Sequence, residues 1–155
     1  MARSIKIKEE QVTKSMMKWL HTHGWEIVCY DFPQSGTGRV LHPSNTSSKT
    51  EGAIIPDIVA IKNGIVLDFE NKDRFVFSDF EKVAHLKATN LYDESFATLL
   101  KDHSYNKIYY GIGMPYSANN YQKAEESSNM VDFIVYLKDN GTFQTTDNIG
   151  GLFNE

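Results

Sequence analysis

The chain reads as an α/β or α+β domain, a mixed β-sheet flanked by helices. Between Lys8 and Gly24 apolar residues recur at spacings of three and four, the period of a helix. Two apolar segments, "AIIPDIVAI" and "GIVLDFENK", flank the dipeptide Asn63–Gly64, the strongest short signal for a hairpin. The whole order, helix, strand, strand, strand, helix, strand with additions at the C-terminal end, is that of a sheet covered by helices.

The elements follow from local pattern. From about Lys8 to His23, Val12, Met16, Trp19, Leu20 and His23 share one helical stripe, and Gly24 stands where a C-cap glycine belongs. "WEIVCYDF" is a short strand rich in aromatic and β-branched residues. Residues 33–52, "PQSGTGRVLHPSNTSSKTEG", are dominated by Ser, Thr, Gly, Asn and Pro and read as a long mobile loop. A loop of that length in a compact domain signals function or disorder. After the hairpin, a second helix runs from Ser78 to about Leu100 with Phe80, Val83, Leu86 and Leu91 on its apolar face; Ser78 and Glu81 are spaced as a capping box. "KIYYGIGM" is a fourth strand, "SANNYQKAEESS" a polar surface helix or loop, and "VDFIVYLK" a fifth strand. After "DNG" the chain reads as an irregular acidic tail. No repeat or second domain is visible, and 155 residues suit a single domain, 1–155, with one core.

Composition narrows the class. No run approaches the roughly 18 apolar residues of a membrane span, and the N-terminus lacks the apolar block of a signal peptide. The single cysteine, Cys29, excludes a disulfide framework and points to a reducing cytoplasm. A net charge of −4 argues against a nucleic-acid enzyme, but its distribution softens the objection. Residues 1–110 hold 14 Lys/Arg against 14 Asp/Glu, whereas residues 111–155 hold 2 against 6.

The chemistry concentrates around the hairpin. Strand side chains alternate between two faces, so Val66, Asp68, Glu70 and Lys72 point one way and Ile65, Leu67, Phe69 and Asn71 the other. The early end of one hairpin strand meets the late end of the next, which brings Asp57 close to Glu70 and Lys72. Two carboxylates and an ammonium among apolar strands suit a Mg²⁺ or Mn²⁺ site with water completing the shell. Such a site supports phosphodiester hydrolysis by in-line attack: the metal stabilises phosphate charge and the lysine orients water or meets the developing charge. A plainer reading makes Asp57 a residue at the start of a strand and Glu70–Lys72 a solvated ladder pair. Asp68, on the face of Glu70, is an alternative ligand.

The run "PD", twelve residues, then "ENK" resembles the bipartite motif of the PD-(D/E)XK, or restriction-endonuclease-like, nuclease superfamily. The element order over roughly residues 8–114 is similar to that superfamily's common core, and "PDIVAIKNGIVLDFENK" looks most like its compact members, small restriction enzymes and Holliday-junction resolvases. The resemblance implies that Asp57 and Glu70 are metal ligands, the Asn71 carbonyl a backbone ligand and Lys72 the catalytic lysine. It also implies products bearing a 5′-phosphate and a 3′-hydroxyl. Members with a further acid on the first helix point to Glu9, on the stripe of Val12, Met16 and Trp19, rather than Glu10, about 100° away. Asn71 is polar where the superfamily usually has an aliphatic residue, which suggests a strand end nearer solvent.

The resulting expectation is a Mg²⁺-dependent DNA endonuclease, restriction-type first. The alternatives are a structure-selective resolvase or a catalytically silent nucleic-acid-binding or assembly subunit of the same fold. Cutting both strands with one small site implies a homodimer or a partner subunit. In the long loop, Arg39, His42, Asn45, Ser47, Ser48 and Lys49 are donor-rich types that contact phosphates and base edges, though "SGTG" at 35–38 is too short for a P-loop. His21 and His23 diverge on their helix, His42, His85 and His103 lack partners at ligand spacing, and Lys82, Lys87 and Lys101 read as a solvated face.

Overall fold

The computed structural model describes residues 7–32, 37–43 and 53–153. Helix α1 (Glu9–Thr22) forms where its period predicts it, with Val12, Met16 and Leu20 fully buried. Its first turn is closed by Gln11, whose Oε1 accepts the Lys8 N–H at 2.9 Å. Its last turn is closed by a Schellman motif: Gly24 takes φ +89°, and the Gly24 and Trp25 N–H groups donate to the carbonyls of His21 and Leu20.

Six strands follow in one mixed sheet: β1 (Glu26–Tyr30), β2 (Ile58–Lys62), β3 (Ile65–Asn71), β4 (Lys107–Pro115), β5 (Phe133–Leu137) and β6 (Phe143–Asp147), arranged in that spatial order. β1, β2 and β3 are antiparallel, β3–β4 and β4–β5 are parallel, and β6 returns antiparallel. Asn63 (φ 51°) and Gly64 (φ 79°) make the two-residue turn between β2 and β3, both in the left-handed region that such a hairpin requires.

Between the parallel strands lie α2 (Phe77–Ala88) and α3 (Asp93–Leu99), then α4 (Ala118–Glu126) and a short 3₁₀ turn at Ser128–Met130. The single second helix expected over 78–100 is two helices. Thr89 is extended (φ −113°, ψ 157°) and its Oγ1 accepts the Leu91 N–H at 3.2 Å, the local competition by which threonine ends helices. The expected capping box at Ser78 does not form: α2 starts one residue earlier, after the extended Val76, without a side-chain cap. Ser117 does cap α4, accepting the Asn120 N–H at 3.0 Å, so the polar segment there is a helix. The expected irregular tail contains β6, whose "FQTTD" sequence carries too few apolar residues to announce a strand and owes its form to β5.

The segment read as a mobile loop is held where it is described. Leu41 is buried and exchanges both backbone hydrogen bonds with Ile54, at 2.7 and 2.9 Å. Ser95 Oγ accepts the N–H of His42 and donates to its carbonyl. Residues 33–36 and 44–52, including Asn45, Ser47, Ser48 and Lys49, lie outside the described residues.

Helix α1 packs on the sheet face that carries Ile58, Ala60, Leu67, Phe69, Phe133 and Val135. α2, α3 and α4 cover the other face, with Val59, Ile61 and Val66 under α3 and Ile112, Ile134 and Tyr136 under α2 and α4. Among the described residues no helix is long and apolar enough to cross a membrane. On the α1 face, β4 presents Gly111, paired with Phe69 and Phe133 in neighbouring strands. The Phe133 ring lies where a Gly111 Cβ would be and meets Phe69 edge-on, with centroids 4.8 Å apart. Gly111→Ala therefore overpacks this layer and lowers stability by about 1–3 kcal/mol, read as a lower urea midpoint; an unchanged midpoint would contradict the packing.

Candidate active site

The hairpin register sets the first two groups of the site. Ile58 pairs with Phe69 across β2 and β3, so the next residues outward, Asp57 and Glu70, face each other on the side covered by α2. Asp57 precedes β2 yet stays in the ladder: its N–H donates to Phe69 O at 3.1 Å and its carbonyl accepts the Asp31 N–H at 2.9 Å. One carboxylate oxygen, Oδ2, accepts the Asn71 N–H at 2.7 Å. Glu70 stands at the C-terminal end of β3, next to parallel β4, the end of such strands where ligands gather.

Neither acid has water enough for an easy charge. Asp57 is 8 % exposed, and its pKa is pushed up to about 8, first by burial and then by Glu70, against the pull of the Asn71 N–H; Glu9 adds to the rise. Burial likewise raises Glu70, although Lys82 pulls it back by charge and hydrogen bond. Asp68, weighed as an alternative ligand, lies one step further back in the sheet, between Val59 and Tyr110. It is 4 % exposed, its Oδ2 has no hydrogen-bond partner among the described residues, and burial, Glu70 and Asp57 hold its pKa well above the carboxylate range. Burial and these two acids disfavour its charged form, and it lies one step deeper in the sheet than the facing pair. Cys29 is no nucleophile: burial and Asp68 push its thiol up to about 11.

The ammonium that touches Glu70 belongs to Lys82, not Lys72. Lys82 Nζ lies 3.1 Å from Glu70 Oε1. Burial works against this ammonium, but Glu70, Asp57 and Asp79 keep it charged and raise its pKa. Lys72 is half-buried, donates its backbone N–H to Gly113 O at 2.9 Å, and acts on both Asp79 and Glu70 through its charge. Helix α2 thus brings two residues that sequence reasoning missed, Asp79 and Lys82. Their signal was present: they are three apart and flank the stripe of Phe80, Val83 and Leu86. Lys87, also read as solvated, pairs with Asp132 at 3.0 Å; Lys101 is exposed as expected.

On the α1 side, Glu9 is the acid whose charge reaches Asp57. Glu10 turns outward to Lys14, 3.0 Å away. Asn71 corrects the expectation of a strand end near solvent: it is fully buried, and its Nδ2 donates to Thr13 Oγ1 at 3.1 Å under α1. Its backbone N–H is spent on Asp57. Arg39 and His42 are exposed and line a separate groove of about 950 Å³ with Ser95, Lys101 and His103, which the acids Glu94 and Asp102 share. Among the described residues no three or more His, Cys, Asp or Glu side chains are grouped to hold a metal by themselves. The donor set nonetheless suits Mg²⁺, which keeps several waters and takes one or two carboxylates from a protein. Asp57 and Glu70, both largely withdrawn from water, are such a pair, with Glu70 also holding the Lys82 ammonium.

No family model, curated protein or solved structure matches this chain.

Asp57 has a folded-state pKa of about 8 against an ordinary 3.8, so its neutral form stabilises the fold below about pH 4 and that contribution is lost as the pH rises through about 8. The metal-free protein becomes less stable across this window, by at most about 1.4 kcal/mol per pH unit from this group, and Asp57→Asn flattens the slope. Urea midpoints measured in chelator between about pH 5 and 8 test this; equal slopes for the two proteins would contradict it.

Proposed function

We propose that this chain is a Mg²⁺-dependent nuclease that hydrolyses DNA phosphodiester bonds, built on the PD-(D/E)XK plan. The observation that carries the reading is the facing pair Asp57–Glu70, two carboxylates withdrawn from water at the end of β3 with lysines on the same side. The topology supports it: a helix, three antiparallel strands, a helical crossover and a parallel fourth strand run in the order of the superfamily's core. A pair of buried acids that only served the fold would be a net loss, and one such pair next to two ammonium groups suits a cation and a polyanion.

In this reading Asp57, Glu70 and the Asn71 carbonyl hold the metal, Mn²⁺ substituting for Mg²⁺, and Glu9 completes the outer shell. The metal, when bound, supplies positive charge to the phosphate oxygens and acidity to water. Lys72, on the same face as Glu70, orients the attacking water or meets the charge that builds on the phosphate. Water oxygen bonds to phosphorus as the P–O3′ bond breaks, and the water's proton is matched by one taken up at O3′, leaving a 5′-phosphate and a 3′-hydroxyl. Arg39 and His42, with Asn45 and Lys49, would contact the DNA backbone or base edges. A restriction-type role in a reducing cytoplasm, as a homodimer or with a partner subunit, is the finer form of the proposal. A silent nucleic-acid-binding subunit is the second reading, favoured by the Lys82–Glu70 pair that already neutralises one ligand.

Purified protein is incubated with plasmid, a short duplex and a four-way junction, with Mg²⁺ or chelator. Cleavage requires Mg²⁺, and Asp57→Asn, Glu70→Gln and Lys72→Ala each lower it by at least about 100-fold. Discrete plasmid fragments support the restriction role and junction-only cleavage the resolvase. Binding without cleavage by the wild type, or cleavage that survives all three substitutions, would overturn the nuclease reading.

A further inference from the structure

Lys82 is paired with one acid and feels the charge of a second, Asp79. Its ammonium is 3.1 Å from Glu70 Oε1. Three residues back on the same helix, Asp79 is 9 % exposed and its Oδ2 has no hydrogen-bond partner among the described residues. A buried carboxylate oxygen without a donor carries the desolvation penalty of that group. Lys72, Lys82 and Arg74 all act on Asp79 through their charges, yet Arg74 makes its ion pair with Asp73, 2.8 Å away. Residues three apart on a helix are neighbours, and lysine carries three donors on a flexible stem. Lys82 therefore reaches either acid by rotating its side chain, with no movement of the backbone.

A divalent cation on Glu70 cannot share that carboxylate comfortably with an ammonium at hydrogen-bond distance, because like charges repel strongly where water is scarce. Asp79, three residues back on α2, has an unfilled oxygen, and its charge already acts on Lys82. We propose that Lys82 is a two-position counter-ion, which neutralises Glu70 in the metal-free protein and moves to Asp79 when a divalent cation takes Glu70. The inference rests on the reading of Asp57 and Glu70 as the metal-holding pair. It gives Asp79 a role that its burial alone does not explain: it accepts the displaced charge and so makes room for the metal. It also makes Lys82 a positioning residue, since the acid it guards reaches the metal only after it has let go.

The test is Mn²⁺ binding by titration calorimetry to the full chain, in the wild type, Lys82→Gln, Asp79→Asn and the double variant. Lys82→Gln removes the competitor and tightens binding roughly tenfold. Asp79→Asn removes the second resting place and weakens binding several-fold. In the Lys82→Gln background the Asp79→Asn loss shrinks to within about twofold, because there is no ammonium left to relocate. If Lys82→Gln does not fold, Lys82→Arg gives the opposite sign: its fork holds Glu70 more firmly and Mn²⁺ binds more weakly than to the wild type. Unchanged affinity in Lys82→Gln, or an Asp79→Asn loss of equal size in both backgrounds, would overturn the counter-ion role while leaving the metal site intact. Absence of Mn²⁺ binding by the wild type, with Asp57→Asn indistinguishable from it, would overturn the metal reading itself and the inference with it.

Discussion

Asp57 and Glu70 are placed opposite each other by the backbone. The Asn63–Gly64 turn fixes Lys62 against Ile65, and the ladder then runs through Ile58 and Phe69 to its open end. A slip of one residue would send every side chain of β3 to the other face, putting Glu70 under α1 and leaving Phe69 among charges. The apolar residues of both strands forbid that slip. The same packing that makes the hairpin stable therefore holds two carboxylates where burial resists their ionisation. Everything else in the region answers that constraint.

The answers come from different parts of the chain. The Asn71 N–H meets Asp57, and Lys82 on α2 meets Glu70. The connection from β3 into α2 is itself anchored: Asn120, nearly buried, accepts the Phe75 N–H at 3.1 Å and donates to Pro115 O at 3.0 Å. That anchoring ties the first turns of α2, and with them Asp79 and Lys82, to the ends of β4 and α4. From the opposite face α1 contributes Glu9, which adds negative charge, and Thr13, which holds the Asn71 side chain inward. Around Asp57 and Glu70, Glu9 and Asp79 add acidic groups, while Lys72, Lys82 and Arg74 supply positive charge.

Much of this was legible in the sequence because it rests on short-range rules. The stripe of Val12, Met16 and Leu20, the glycine after His23 and the Asn-Gly turn are local signals, and the helix, its end and the hairpin follow them. The facing of Asp57 and Glu70 follows from strand alternation plus a two-residue turn. What was not legible depends on distant partners. β6 takes its form from β5, and the burial of Leu41 depends on Ile54. Thr89 splits a helix that its apolar stripe would have continued. Lys82 looked like a solvated lysine because nothing within α2 names its partner, which lies on β3. Asn71 looked exposed because polarity was weighed without the Thr13 hydroxyl that receives it.

The central claim is that the end of the β2–β3 hairpin is a divalent-cation site made by Asp57 and Glu70. Anomalous diffraction from crystals of the full chain soaked in Mn²⁺ addresses it directly. The account predicts a peak between the two carboxylates, with oxygens of both at about 2.0–2.2 Å, the Asn71 carbonyl beside it and Lys82 no longer on Glu70. Well-occupied Mn²⁺ elsewhere, with Lys82 still paired to Glu70 and no peak at Asp57, would contradict it.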